Sequence, residues 1–180
     1  MYIYANPFFW AFVSMFGLLA GTALVSGIPL GRNPIVGFMT VMVNDFARIL
    51  LVLPFCTQPR FDLGVWNWIV GGTLIAVAMV FGVAAFSVKW WKAPDKEVVL
   101  QTSGVYGIVR NPIYLTDLLF SLGIAVGFGS IIGVALIPVW WVAFLFVVQM
   151  EEQSMERMLG QGYLDYKRRV KGRIIPGLPI

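Results

Sequence analysis

Five apolar stretches, each near the length that crosses a bilayer, constrain this chain more than any other feature. They run from about Pro7 to Ile28, Pro34 to Phe55, Val65 to Val88, Ile113 to Phe128 and Ser130 to Gln149. A transmembrane helix needs roughly 20 predominantly apolar residues. The fourth stretch is short, and Pro112 marks its start. Gly127-Phe128-Gly129 reads as a tight turn, so the fourth and fifth helices are expected to form a hairpin. Composition agrees: 59% of residues are hydrophobic and 12% charged, where a soluble domain carries roughly 25% charged residues. The fold expected is all-α, a polytopic membrane helix bundle of about five transmembrane helices with a cytosolic C-terminal helical segment. Residues 1–88 supply three N-terminal helices, and residues 89–180 form a second region.

Charge sets the orientation. Five crossings place the 29–33 loop, the 89–112 loop and the C-terminal tail on one side, with Arg32, Lys89, Lys92, Lys96, Arg110, Arg157, Lys167, Arg168, Arg169, Lys171 and Arg173. Arg60 alone lies opposite. The positive-inside rule makes the rich side cytoplasmic, with the N-terminus outside and the C-terminus inside. Met1 to Asn6 lacks the basic stretch of a cleaved signal, so the first helix is read as retained. A net charge of +4 suits the cytoplasmic ends of membrane helices better than a nucleic-acid surface.

Residue types exclude much chemistry. There is no histidine, which removes Ser-His-Asp catalysis, histidine zinc sites and any histidine base. The single cysteine, Cys56, forms neither an internal disulfide nor a cysteine metal cluster. No metal is expected.

Polar residues inside membrane segments are costly and need a reason. Asp45 and Arg48 are three apart on one helix face and can pair. A structural ion pair in the bundle accounts for them, and a pocket lining is the alternative. Asp117, a turn into the fourth helix, lies near the interface, where hydration suffices. Trp90 and Trp91 fit an interfacial belt, and Arg110, Tyr106 and Tyr114 could be anchors of the same kind. Gly17/Gly21, Gly123/Gly127 and Gly129/Gly133 are pairs that allow close helix packing. In the tail, Met155, Met158, Leu159, Tyr163, Tyr166 and Val170 recur at near-helical spacing, and Gly160 and Gly162 are expected to divide it into two short helices. Glu151-Glu152 sits where the fifth helix leaves the membrane, an unfavourable place for two carboxylates near a helix C-terminus. Solvation of the helix end explains them; a carboxylate facing a cationic or hydroxyl-rich ligand is the functional alternative.

Three stretches in register carry a resemblance. They are Leu100-x-Thr102-Ser103-Gly104-Val105-Tyr106, then Arg110-Asn111-Pro112-Ile113-Tyr114, then Glu151-Glu152-x-x-Met155 with Leu159-Gly160-x-x-Tyr163-x-x-Tyr166 and Arg169-Val170-x-x-Arg173-x-Ile175-Pro176. Over about 98–176 the chain resembles the isoprenylcysteine carboxyl methyltransferase family of integral membrane enzymes, and more loosely the phospholipid methyltransferases. Residues 1–88 match only as transmembrane helices.

The resemblance implies methyl transfer from S-adenosylmethionine to a lipophilic or small membrane-accessible acceptor at the cytosolic face. Carried over by position, cofactor contacts are Val98, Val99, Leu100 and Gln101 in a strand-like segment, Tyr106, Asn111, Pro112, Ile113, Tyr114 and Glu151. Arg110, Asn111 and Glu152 are the implied catalytic residues. The chemistry suits a chain without histidine: in-line displacement at a sulfonium needs chiefly alignment. Aromatic faces such as Tyr106 and Tyr114 hold a cation, and a carboxylate accepts bonds from hydroxyl or ammonium groups.

The sequence departs from the family pattern twice. Asn111 stands where the family usually has histidine and cannot titrate. Val147 stands where some members carry an arginine for the prenylcysteine carboxylate, which turns the expectation toward another acceptor, such as a phospholipid amine, a thiol or a small carboxylate. A sterol reductase using NADPH and a non-catalytic membrane protein or small transporter built on Asp45 and Arg48 are the competing readings. The short chain suggests a prokaryotic plasma membrane.

Overall fold

The computed structural model describes residues 2–27, 34–87 and 100–179. Among the described residues six α-helices follow one another: α1 Pro7–Gly27, α2 Pro34–Val52, α3 Val65–Ser87, α4 Pro112–Gly127, α5 Ile131–Leu159 and α6 Gln161–Arg169, with 3-10 turns at Ile3–Ala5 and Gly104–Gly107. Among the described residues there is no strand beyond an isolated bridge between Arg60 and Ser130. The segment expected to be strand-like has no regular structure at Leu100 and Gln101, while Val98 and Val99 lie outside the described residues.

Helices α3 and α5 are long and apolar enough to cross a membrane, and Pro7–Thr22 and Pro112–Gly127 are shorter apolar helices. Along α3, Trp66, Trp68, Ile69, Val80, Val83 and Phe86 are exposed. A helix that is apolar all round belongs either in a protein core or in lipid, and these side chains are not in a core.

Expected and observed helix limits differ most at α5. The apolar stretch ends at Gln149, yet the helix continues unbroken to Leu159. Its extension carries the polar run from Glu151 to Arg157, which satisfies backbone groups within the helix whatever the solvent outside. The break comes at Gly160, whose φ of +54° is accessible to glycine. Gly162, expected as a second break, lies inside α6.

Close contacts divide the chain into two units, Met1–Thr73 with Ser121–Trp140, and Leu74–Phe120 with Trp141–Ile180.

In the first unit the turn from α4 to α5 is built by hydrogen bonds. Ser130 N donates to Ala125 O at 2.8 Å and Gly129 N to Val126 O at 3.0 Å, the paired pattern that closes a helix on a left-handed residue. Gly129 has φ +63°, and a Cβ there would stand 2.1 Å from Phe61 O. Ser130 Oγ then accepts from Gly133 N at 2.9 Å and so caps the start of α5. The small-residue pair Gly123/Gly127 meets Gly71 of α3, where a Cβ would fall 2.6 Å from Gly123 O. Arg60 donates to Val52 O at 2.9 Å and Phe128 O at 2.7 Å. It thereby satisfies carbonyls at the ends of α2 and α4.

The same unit holds a buried polar network. Arg48 is 2% exposed and pairs with Asp45. Its Nη1 donates to Ser121 Oγ at 2.7 Å, and its guanidinium lies 5.7 Å from the centre of the Trp140 ring. Ser14 Oγ donates to Asn44 Oδ1 at 2.8 Å. Helices α1, α2, α4 and α5 each contribute a side chain, as the structural reading of Asp45 and Arg48 anticipates.

Candidate active site in the second unit

The second unit gathers the three stretches singled out in the sequence. Its organising feature is backbone pairing between the loop before α4 and the tail after α6. Arg110 N donates to Gly172 O at 2.9 Å, and Asn111 N to Arg173 O at 3.0 Å. Gly172 fits closely there: a Cβ would lie 3.0 Å from Gly177 N and 3.1 Å from Ile108 O, so a side chain would press on both. From α6, Tyr166 Oη donates to Tyr106 O at 2.7 Å. Tyr163, Tyr166 and Val170 form a buried cluster with Leu100, Met155 and Leu159 packed against it. Burial raises the phenol pKa of both Tyr163 and Tyr166, so they remain neutral hydrogen-bonding rings near neutrality.

Glu152 sits at the centre of the pairing. It is 1% exposed. Arg110 Nε donates to its Oε1 at 2.8 Å and Asn111 Nδ2 to the same oxygen at 3.2 Å. Arg173 donates to Oε2 from Nη2 at 3.0 Å and from Nε at 3.2 Å. Lys167 Nζ stands 3.4 Å from Oε2 and 2.5 Å from Glu156 Oε1. Arg110 also donates through Nη1 to Val170 O at 2.7 Å and Lys171 O at 3.0 Å. One carboxylate of α5 thus holds cations from the loop before α4, from α6 and from the tail.

Glu151 faces elsewhere. It is exposed and accepts from Tyr114 Oη at 2.7 Å, a distance typical of a charge-assisted bond. The Tyr114 ring packs on Phe144 with centroids 5.2 Å apart. The structure therefore separates the residues singled out from sequence. Arg110, Asn111 and Glu152 interlock in the interior. Tyr106 and Pro112 are buried, and Ile113 is half-buried at the start of α4. Gln101 Nε2 donates to Ser103 Oγ at 2.7 Å. Glu151 and Tyr114 form an accessible pair.

Lys167 and Arg173 were not singled out as site residues. The Arg169-Val170-x-x-Arg173 pattern pointed to the tail, but nothing in spacing alone tells which carboxylate a tail cation meets. Among the described residues no group of histidine, cysteine or acidic side chains could hold a metal ion.

A family model described as phospholipid methyltransferase matches residues 66–162, more than half of the chain. The chain belongs to the phospholipid methyltransferase family. It is an enzyme, a methyltransferase, and its exposed apolar helices make it a membrane protein. This methyltransferase is also 26% identical, over 200 residues, to the protein-S-isoprenylcysteine O-methyltransferase of Schizosaccharomyces pombe, a match covering 97% of this chain and 85% of that protein. Both findings agree with the resemblance read from the three stretches. No solved structure matches the chain. The family match includes α3 from Trp66, α4, α5, Tyr114 and both glutamates, and it ends before Lys167 and Arg173.

Proposed function

We propose that this methyltransferase uses S-adenosylmethionine to methylate a lipid-bearing acceptor at the cytosolic membrane face. The observation that carries the proposal is the accessible Glu151–Tyr114 pair beside Phe144. When bound, S-adenosylmethionine supplies an electrophilic methyl group on a sulfonium.

The donor set fits that group. Glu151 offers a carboxylate oxygen beyond the one bonded to Tyr114, and it can accept from hydroxyl or ammonium groups. The faces of Tyr114 and Phe144 attract a cation. Leu100, Gln101, Tyr106 and the turn from Asn111 to Tyr114 complete the proposed binding segment, which begins at Val98 and Val99. Arg110, Asn111 and Glu152 support it through the pairing of the loop before α4 with the tail. Alignment is the main demand of this chemistry, and none of these roles calls for histidine.

The family's description names phospholipids, and the fission-yeast relative acts on isoprenylcysteine. A nucleophile carried on a lipid is common to both, and this supports an acceptor that enters from the bilayer. Five crossings with the N-terminus outside, in a prokaryotic plasma membrane, accompany the proposal, and the distribution of Lys and Arg supports that orientation.

The test is calorimetric titration of detergent-purified protein with S-adenosylmethionine, S-adenosylhomocysteine and NADPH. Micromolar binding of the first two and none of NADPH is expected. Absence of binding for both methionine-derived ligands overturns the proposal.

A further inference from the structure

Two consecutive glutamates of α5 stand in opposite environments, and the inner one has no direction left in which to meet a ligand. Glu152 has both oxygens occupied by donors from Arg110, Asn111 and Arg173, and it is enclosed. A general base must reach the proton it removes within hydrogen-bond distance or through one water. Glu152 is walled off from any such approach by its own partners.

We infer that Glu152 is a positioning residue, the hub of a clasp that fastens the tail 170–178 to the loop before α4 and so fixes the Glu151–Tyr114 pair. The inference rests on the proposed function for what that pair binds; the clasp itself rests on geometry. Each strand of the clasp is doubled. Arg110 reaches the tail through its side chain, at Val170 O and Lys171 O, and through its backbone, at Gly172 O. Asn111 does the same at Arg173 O, with its side-chain amide at 3.1 Å and its backbone N–H at 3.0 Å.

Asn111 thereby has a role of its own. Its Nδ2 spends its two hydrogens on Glu152 Oε1 and Arg173 O. A neutral imidazole has one N–H to donate and could not make both bonds from one nitrogen. Asparagine at this position is a component of the clasp rather than a lost titratable group.

Removing the charge of Glu152 leaves Arg110 and Arg173 facing one another without the carboxylate that joins them, while Lys167 keeps its pairing with Glu156. Like charges repel strongly where water is scarce, so the tail is expected to lift. The amides of Arg110 and Asn111 report this directly, because both rest on tail carbonyls.

The experiment compares Glu152→Gln, Arg173→Gln and Glu152→Asp with the unaltered full chain, by hydrogen exchange at Arg110, Asn111 and 170–178 and by methyl-transfer kinetics. Glu152→Gln is expected to speed exchange at these amides by about tenfold or more. It should raise KM for S-adenosylmethionine about tenfold while lowering kcat at saturation by less than about threefold. Arg173→Gln should act the same way more weakly, and it keeps the test open if Glu152→Gln does not fold. Glu152→Asp, which retains the carboxylate, should recover part of the protection. A fall in kcat of about 10²-fold or more at saturating cofactor with exchange unchanged makes Glu152 a catalytic acid or base and overturns the inference. Unchanged exchange in both glutamine variants overturns it as well. If the unaltered protein neither binds nor uses S-adenosylmethionine, the proposed function fails, and the exchange data still decide the clasp.

Discussion

Glu151 and Glu152 are neighbours in sequence and separated in space: Glu152 is sealed among Arg110, Asn111 and Arg173, whereas Glu151 is exposed and accepts from Tyr114 Oη at 2.7 Å. Consecutive positions on an α-helix point about 100° apart. Because α5 continues through Leu159, the two carboxylates are held at that angle, one among the cations of the interior and the other toward the surface.

Glu151→Gln and Tyr114→Phe each remove one partner of the accessible pair. A charge-assisted hydrogen bond is worth roughly 1.5–3 kcal/mol, so each variant is expected to weaken S-adenosylhomocysteine binding about tenfold or more. Calorimetry reads the affinity, and an unchanged constant in both variants takes the pair out of the site.

Asp45→Asn removes the carboxylate that pairs with the buried Arg48 guanidinium in the first unit. Breaking a fully buried pair by removing one partner costs about 3–5 kcal/mol; Asp45 is one-third exposed, which lowers that cost, and the variant should melt below the parent in the same detergent. Replacing Asp45 and Arg48 together by apolar residues of similar volume should recover much of that loss. Equal melting of the single variant and the parent would mean that Arg48 is neutralised by another group.

Gly129→Ala and Gly104→Ala test two positive-φ glycines, at +63° and +61°. At Gly104 a Cβ meets nothing within 4 Å, so the cost is the left-handed backbone alone, roughly 1–2 kcal/mol. At Gly129 the Cβ also collides with Phe61 O, and that variant is expected to yield little folded protein. Melting curves and detergent gel filtration separate the two.

Tyr163 and Tyr166 have pKa values raised by burial, against an unfolded value of about 10. A raised folded pKa favours the neutral phenol in the folded state. Their contribution to stability is therefore complete below pH ~10 and is lost as pH rises above it. Melting temperature should show no step from these groups between neutrality and that limit. Ultraviolet titration should find both tyrosines ionising later than exposed ones; ionisation of all tyrosines together near pH ~10 would contradict their burial in the native state.

Much of the fold was legible because hydrophobic length is local information. The starts of α2 at Pro34 and α3 at Val65 coincide with the expected ones, since Pro suits a first helical position and the apolar run begins at Val65. The Gly127–Gly129 turn was legible for the same reason. The extension of α5 to Leu159 was not, because loss of hydropathy marks where a helix meets water and not where its hydrogen bonds stop. Gly162 misled similarly: glycine weakens a helix by about 1 kcal/mol without ending it, and packing of Tyr163 and Tyr166 holds α6 together across it.

The sequence by itself determined that this chain is a set of apolar helices and that any chemistry it does proceeds without histidine, and its motifs singled out Tyr114 and the two glutamates as candidates. These follow from residue type, spacing and motif. Only the tertiary structure decided that Glu152 fastens the tail and Glu151 faces outward, that Asn111 bridges Glu152 and Arg173 O, and that Arg60 caps two helices. Each of those depends on which distant segment an adjacent side chain meets. The pairing of residues 110–111 with 172–173 sets that for the clasp across some sixty positions of sequence, a distance over which neither helical periodicity nor composition carries information.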